Sequence, residues 1–243
     1  AFNTRPAILI LPGGGYAWCS RREADPVAMQ FLQAGYNVFT LYYTCRSDET
    51  VPALRWQPLI DAAGAILHIR RNAEQFGTDP AKIAICGFSA GGHLAASTAI
   101  LWDAEPVQKA LSIHAEEARP DAVVLGYPVI TSGIMTHGGS IKNLCGDDAE
   151  LKATMSLENQ IRGDLPPFFI WHTVEDGSVP VQNSLLLASA LTEHKVPFEL
   201  HLFNHDGHGT STCTREVNTP NAHNRAWVDL CTDWLADLFN YHL

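Results

Sequence analysis

Long apolar runs and basic residues are both scarce in this chain. None of its apolar runs reaches the roughly 18 residues that a membrane-spanning helix needs, so the sequence predicts no transmembrane helix. Lys and Arg number 16 against 26 Asp and Glu, which gives a formal net charge of −10. Because nucleic acids and anionic membrane surfaces attract clustered basic side chains, we expect neither as a partner.

Closely spaced cysteines are also missing. The six cysteines are scattered and none forms a C-x-x-C pair, which argues against a zinc knuckle or a thioredoxin-type redox site. This pattern favours a reduced, cytoplasmic setting. Because the chain begins with Ala1 and not Met, a removed N-terminal segment is left open. We expect no metal and no cofactor.

The 243 residues suffice for one α/β domain spanning residues 1–243, with 46% apolar and 17% charged residues. Apolar strand signals alternate with helical ones, and no repeat or linker interrupts them. Continuous apolar strands separated by helices are typical of a parallel sheet buried on both faces. The sequence therefore predicts a doubly wound, mostly parallel sheet of about six strands with helices on both faces. The predicted strands are 7–11, 36–43, 82–86, 122–127, 167–172 and 198–203.

Helical periodicity occupies most of the segments between these strands. Ser20 and Glu23 have the spacing of a capping box and predict a helix start there, with Gly35 at the helix end. Further helices are expected over 58–76, from the third strand's end to about Leu101, and over 180–194 and 222–239. The long connection 129–165 is expected to hold short helices near 140–144 and 149–154 and to wall one side of a pocket.

A serine between glycines follows the third predicted strand. The pentapeptide Gly-Phe-Ser-Ala-Gly at residues 87–91 is weak as a pattern alone, because Gly and Ser are common. Its place between a strand and a helix is typical of a nucleophile elbow, a strained turn that presents a serine above a helix N-terminus. Ser89 is therefore the candidate nucleophile, and the Ala90 N–H is a candidate donor to a developing oxyanion.

A nucleophilic serine needs a histidine base, and that histidine needs an orienting carboxylate. In this architecture the three follow the chain order Ser, Asp or Glu, His, each after its own strand. Asp176 lies in the turn after strand 167–172 and is the preferred acid, with Glu175 as its competitor. His208 follows strand 198–203 between two glycines and is the preferred base, whereas His205 is interpreted as structural.

The sequence of these loops disfavours two other interpretations. His205 and His208 near Asp206 resemble a metal site, but a glycine-broken loop lacks the rigid frame that metal ligands need. The glycine triplet 13–15 after the first strand lacks the G-x-G-x-x-G pattern of a dinucleotide loop. It is interpreted instead as an oxyanion hole, with the Gly14 and Gly15 N–H groups as donors beside that of Ala90.

Four blocks of the chain resemble small bacterial α/β-hydrolase esterases, the acetyl-xylan and feruloyl esterase-like branch near the hormone-sensitive-lipase type. The blocks are 12–16, 20–26, 87–92 and Trp171-His172-Thr173-x-x-Asp176-x-x-Val179-Pro180-Val181-x-Asn183-Ser184. The resemblance implies the α/β-hydrolase fold, with Ser89 as nucleophile, Asp176 as acid and His208 as base. It also implies Gly14, Gly15 and Ala90 as oxyanion donors. Pro12 stands where these esterases usually have histidine.

The cap helices of the hormone-sensitive-lipase type and the antiparallel strands that usually precede the first strand have no counterpart here. With no large cap domain, we expect an open pocket for short acyl esters, such as those of acetylated oligosaccharides. The expected function is a serine carboxylesterase that works through an acyl-enzyme. The alternatives are an arylformamidase, amidase or peptidase on the same fold, and an inactive binding protein. Oligomerisation is left open.

Overall fold

A six-stranded parallel sheet forms the centre of the structure, a computed structural model that describes residues 4–113 and 116–242. Its strand order is β2-β1-β3-β4-β5-β6, and every neighbouring pair is parallel. The predicted doubly wound sheet of about six strands is confirmed. The strands are β1 (Arg5–Leu11), β2 (Asn37–Thr40), β3 (Thr78–Phe88), β4 (Ala122–Gly126), β5 (Phe168–Thr173) and β6 (Phe198–Phe203).

Helices follow the strands and cover both faces of the sheet. The helices of the described residues are α1 (Asp25–Gln33), α2 (Gln57–Arg71), α3 (Ala73–Phe76), α4 (Ala90–Ile100), α5 (Glu105–Leu111), α6 (Gly138–Cys145), α7 (Ala149–Thr154), α8 (Gln182–Glu193) and α9 (Ala226–Phe239). Short 3-10 turns occupy Arg21–Glu23, Glu116–Ala118, Leu157–Asn159 and Arg215–Val217.

The strands are apolar on both sides because each side chain enters one of two cores. Leu9 and Ile85 pack with α2, α4 and α8 on one face. Ile8 and Ala84, their neighbours along the strands, pack with α1 and α9 on the other. Successive side chains of a strand point to opposite faces, so a strand buried on both sides is a continuous apolar run.

Three predicted helix boundaries are wrong, one of them the start at residue 222, since α9 begins at Ala226. The Ser20 side chain caps no helix; residues 21–23 form the 3-10 turn, and α1 begins at Asp25 with Pro26 in its first turn. The carboxylate of Glu23 is bound elsewhere, by the backbone of Gly13, so it cannot complete a capping box. The predicted helix 58–76 is divided at Asn72, whose side chain donates to the His68 carbonyl at 2.8 Å.

The long connection between β4 and β5 packs onto the first core and forms no separate cap among the described residues. It contains α6 and α7, as expected, and both have side-chain caps. His137 Nδ1 accepts from Ser140 N at the start of α6, and Asp148 Oδ1 accepts from Leu151 N at the start of α7. Ile141 joins the buried core from this connection. Nowhere in 4–113 or 116–242 is a helix both long and apolar enough to span a bilayer.

Helix α4 is buried along its whole length, which its small residues permit. Gly91, in its first turn, lies against the end of β1. A Cβ atom placed there would collide with the carbonyl oxygens of Leu11 and Pro12. Because both obstacles are backbone atoms, no side-chain rotation can relieve the overlap.

We expect Gly91→Ala to lower the free energy of unfolding by about 3 kcal/mol or more, since it overpacks a rigid contact. Gly64→Ala is the matched control. Gly64 lies within α2, and its Cβ would meet only a Leu111 methyl group at 3.4 Å. That change should leave stability unchanged or raise it by up to about 1 kcal/mol, through better helix propensity. Urea unfolding followed by circular dichroism measures both; equal stability of the two variants would contradict the packing account.

Candidate active site

Ser89 lies in a strained turn between β3 and α4. Its backbone has φ 54° and ψ −120°, a conformation that costs a residue with a side chain about 1–3 kcal/mol. Three backbone hydrogen bonds hold it there. The Ser89 N–H donates to Gly126 O at 3.0 Å, and the Ser89 carbonyl accepts from His93 N at 3.0 Å and Val129 N at 3.1 Å. The turn presents the Ser89 hydroxyl at the carboxyl end of the sheet.

His208 connects this serine to a buried carboxylate. His208 Nε2 lies 2.8 Å from Ser89 Oγ, and His208 Nδ1 lies 2.6 Å from Asp176 Oδ2. When Nδ1 carries the proton and donates it to Asp176, Nε2 is free to accept the Ser89 hydroxyl proton. The structure therefore brings together the three residues that the sequence proposes as nucleophile, base and acid.

Asp176 is buried yet ionised. Burial alone would raise its pKa, but hydrogen bonds from His172 and His208 hold the pKa well below its ordinary value. Oδ1 accepts the N–H groups of Ser178 and Val179, both at 2.9 Å. His172 lies 3.2 Å from Oδ2 through Nε2, and its Nδ1 pairs with Ser184 Oγ at 2.8 Å. Both oxygens of the carboxylate thus have donors that fix their direction.

Glu175 and His205, the alternative candidates for the acid and the base, pair with each other and not with the residues described above. Glu175 Oε1 and His205 Nδ1 lie 3.1 Å apart on the surface, where both side chains are exposed. Neither contacts Ser89. Among the described residues, no cluster of three or more His, Cys, Asp or Glu side chains is arranged to hold a metal ion.

The loop before His208 is held by the start of the last helix region. Asp206 has φ 90°, and its Oδ2 accepts from Asn221 and Asn224 at 2.6 and 2.8 Å. Asn224 is buried and also donates to the His205 carbonyl at 2.9 Å. This role of Asn224 could not be predicted from the sequence, because an asparagine before a helix carries no sign of a distant partner.

The glycine loop lies across the pocket from His208. Gly14 and Gly15 have φ 127° and 64°, and both line the pocket beside Ser89. Ala90 is the first residue of α4, so its N–H has no acceptor within the helix. Gly14 and Gly15 thus line the same pocket as Ser89, and Ala90 follows Ser89 in the chain; the role of all three as oxyanion donors stays a prediction.

Glu23 is a second residue whose function the sequence did not reveal. It is only 3% exposed, and its Oε2 accepts the Gly13 N–H at 2.8 Å. Its Oε1 accepts the hydroxyl of Tyr127 at 2.7 Å. Because Ser20 and Glu23 have the spacing of a capping box, the sequence predicts a local helix cap and gives no sign of these two hydrogen bonds.

A cavity of about 500 Å³ opens above Ser89 and His208. One side is formed by the connection between β4 and β5, as the sequence predicted, and the other by the glycine loop and the residues after it. Trp18 is 64% exposed beside this cavity. The lining residues are Gly14, Gly15, Ala17, Trp18, Ser20, Arg22, Glu23, Ser89, His137, Gly139, Asn143, Ser178, His208 and Gly209.

The parallel sheet, with a serine, a histidine and a carboxylate at its carboxyl edge, has the architecture of the α/β-hydrolase fold. The chain belongs to the BD-FAE family, whose model matches residues 2–191.

Two named relatives match most of this chain. An endo-1,4-beta-xylanase B of Butyrivibrio fibrisolvens is 43% identical over 216 residues, covering 87% of this chain and 33% of that protein. An acetylxylan esterase of Xylanibacter ruminicola is 29% identical over 212 residues, covering 84% of this chain and 40% of that protein. This chain therefore spans less than half the length of either relative.

A solved structure matches over the whole chain. The acetyl ester-xyloside bifunctional hydrolase from Caldicellulosiruptor lactoaceticus superposes with a TM-score of 0.85 at 35% identity. The match covers 100% of this chain and 86% of that one. The α/β-hydrolase fold predicted from the sequence is confirmed.

The choice between the two histidines is testable. We expect His208→Ala to lower kcat on p-nitrophenyl acetate by at least about a thousandfold, because Ser89 loses its base. His205→Ala is the matched control and should keep most of the activity, since its side chain contacts Glu175 and not Ser89. Steady-state rates of both purified variants decide the matter, and the reverse ranking would overturn the assignment of the base.

Proposed function

We propose that this chain hydrolyses short-chain acyl esters, of the acetyl type, through a covalent acyl-enzyme on Ser89. The observation that carries this proposal is the hydrogen-bonded line from Ser89 Oγ through His208 to Asp176, with distances of 2.8 and 2.6 Å. The line lies at the floor of an open cavity and beside a glycine loop, as acyl transfer requires.

In the proposed reaction, Ser89 Oγ attacks the ester carbonyl carbon while His208 Nε2 takes the hydroxyl proton. The carbonyl oxygen becomes an oxyanion, stabilised by the N–H groups of Gly14, Gly15 and Ala90. Collapse of this intermediate breaks the bond to the alcohol oxygen, which receives the proton from His208. Water then attacks the acyl-enzyme by the same route, which releases the acid and restores the Ser89 hydroxyl.

Asp176 supports both proton transfers. Because its pKa is held low by His172 and His208, it stays a carboxylate while His208 becomes an imidazolium. Its position keeps the His208 proton on Nδ1 in the resting enzyme, so that Nε2 faces the serine. The backbone N–H groups of Ser178 and Val179 keep the carboxylate from rotating away.

The cavity supports a small, polar substrate. Its lining is rich in glycine and in polar side chains such as His137, Asn143 and Ser178, and no described segment covers it as a separate cap. The exposed face of Trp18 offers an apolar surface against which a sugar ring can stack. The acetylxylan esterase and the acetyl ester-xyloside hydrolase among the similar proteins support the same choice. We therefore propose an acetylated oligosaccharide as the substrate class.

The hydrolase mechanism is tested with a fluorophosphonate probe and an activity profile. The wild type should be labelled and should hydrolyse esters, whereas Ser89→Ala should be unlabelled and lose at least about a thousandfold in turnover. The profile includes acetylated xylo-oligosaccharides, aryl esters and N-formyl-kynurenine. Preference for N-formyl-kynurenine would replace the esterase with an arylformamidase, and an unlabelled, inactive wild type would favour a binding protein.

Acyl-chain length tests the size of the acyl site. Across p-nitrophenyl esters from acetate to palmitate, we expect kcat/KM to be highest for acetate or a similarly short chain, because no segment within residues 4–113 and 116–242 forms a cap with a long apolar tunnel. Ser89→Ala under the same conditions gives the uncatalysed background. Faster turnover of palmitate than of acetate would refute the short-chain proposal.

Trp18 tests the carbohydrate part of the proposal. Trp18→Ala should lower kcat/KM for an acetylated xylo-oligosaccharide by about fivefold, corresponding to about 1 kcal/mol of lost aromatic contact. The same change should leave p-nitrophenyl acetate turnover nearly unaltered, since that substrate has no sugar ring. Tyr42→Ala is the matched control, an exposed aromatic side chain outside the cavity lining. Equal losses on both substrates would contradict a sugar-binding role.

A further inference from the structure

Glu23 is a buried carboxylate beside the candidate active site whose hydrogen bonds come from neutral donors. The Gly13 N–H and the Tyr127 hydroxyl bind its two oxygens at 2.8 and 2.7 Å. Removing this side chain would leave two buried donors without an acceptor. Glu23 therefore links the two segments that supply these donors, the glycine loop and the end of β4.

On one side, Glu23 holds the first residue of the glycine loop. Gly13 lies so close to the elbow that a Cβ atom on it would come within 2.9 Å of Ser89 Cβ. Its N–H points to Glu23 and its carbonyl accepts from Ser20 N at 2.9 Å, so both of its polar groups are bound. With Gly13 fixed in this way, the following residues Gly14 and Gly15 form the pocket wall.

On the other side, Glu23 reaches the loop that carries His208. The Tyr127 hydroxyl donates to Glu23 and accepts the Ser211 N–H at 2.9 Å. The Tyr127 ring packs edge-on against the His208 ring, with 5.0 Å between centroids. Burial, and then the nearby Glu23 carboxylate, raise the pKa of Tyr127 well above its ordinary value, so its hydroxyl keeps the proton that it donates.

We propose that Glu23 is a positioning residue that fixes the glycine loop and the His208 loop relative to each other and to Ser89. It fixes Gly13 directly and His208 through Tyr127, so that the oxyanion donors and the base approach Ser89 from set directions. This inference rests on the proposed ester hydrolysis at Ser89. It assigns Glu23 no contact with the reacting atoms.

The hydrogen-bond geometry, and not the negative charge, performs this role. A carboxylate near a developing oxyanion opposes it electrostatically, so the charge itself brings no catalytic advantage. Glutamine has the same shape, and its carbonyl oxygen can accept from Gly13, but its NH₂ group then faces the Tyr127 hydroxyl, whose proton loses its acceptor. Alanine removes both bonds. Glu23→Gln therefore removes the charge and keeps the Gly13 bond, whereas Glu23→Ala keeps neither bond.

The experiment compares Glu23→Ala, Glu23→Gln and Tyr127→Phe on p-nitrophenyl acetate, at a temperature where melting curves show each variant folded. Glu23→Ala should lower kcat by about a hundredfold, the usual effect of losing one oxyanion donor, with KM changed by less than about threefold. Glu23→Gln should recover kcat to within about tenfold of wild type. Tyr127→Phe keeps the ring against His208 and should lose about tenfold, because Gly13 remains bound.

A methyl trifluoromethyl ketone provides the second measurement, because a serine adds to its carbonyl and forms a tetrahedral oxyanion. Its inhibition constant should rise in parallel with the loss of kcat/KM across the three variants. A residue that merely supports the fold would leave both quantities unchanged in the folded protein. Wild-type kcat and wild-type ketone affinity in Glu23→Ala would overturn the proposal, and so would a Glu23→Gln variant as slow as Glu23→Ala.

Asp121→Ala is the matched control for loss of a partly buried carboxylate. Asp121 accepts the Ile83 N–H at 2.9 Å near the start of the apolar part of β3, far from the carboxyl edge of the sheet. The Asp121→Ala substitution should lower the melting temperature and leave kcat unchanged.

Ser89→Ala separates the role of Glu23 from the proposed ester hydrolysis. Turnover that persists in the Ser89→Ala variant refutes ester hydrolysis at Ser89. Turnover that is lost in Ser89→Ala but intact in Glu23→Ala refutes only the role of Glu23.

Discussion

The turn between β3 and α4 is the constraint on which the rest of the structure depends. Ser89 remains at φ 54° only because Gly126 on β4 accepts its N–H and because α4 packs tightly enough to prevent relaxation. That tightness demands small residues in α4 and backbone contact between Gly91 and the end of β1. Strand β3 must therefore lie between β1 and β4, and the loops that follow these neighbouring strands supply the walls of the pocket.

The polar groups around the pocket are fixed by hydrogen bonds and hardly at all by salt bridges. Asp176 is bound by two backbone N–H groups and two imidazoles, Glu23 by one N–H and one hydroxyl. Hydrogen bonds of this kind are directional, so each one fixes the orientation of the oxygen that accepts it. Although the chain carries an excess of negative charge, each carboxylate of the site is held in place by its own donors.

Local patterns predicted the sheet and the order of the candidate residues well, since buried parallel strands are continuous apolar runs and their loops meet at one edge. Patterns failed where a distant partner decided the outcome. Ser20 and Glu23 have capping-box spacing, but Glu23 bonds to Tyr127, 104 positions away. The helix 58–76 has unbroken periodicity, yet Asn72 leaves the helical conformation at φ −107° and ψ 21°, with both its N–H and its side chain on the His68 carbonyl. Asn224 shows no local sign of its bond to the His205 carbonyl.

Asn224 holds the His208 loop from a position more than 200 residues after Gly13, the residue that Glu23 holds on the other side of the site. The site is thus assembled from contacts of very long sequence separation, which form late in folding because loop closure is costly. A refolding chain can bury its sheet and show full secondary structure while His208 is still unplaced. Return of ester hydrolysis should then lag behind the return of core fluorescence, and activity would report the docking of the last helix.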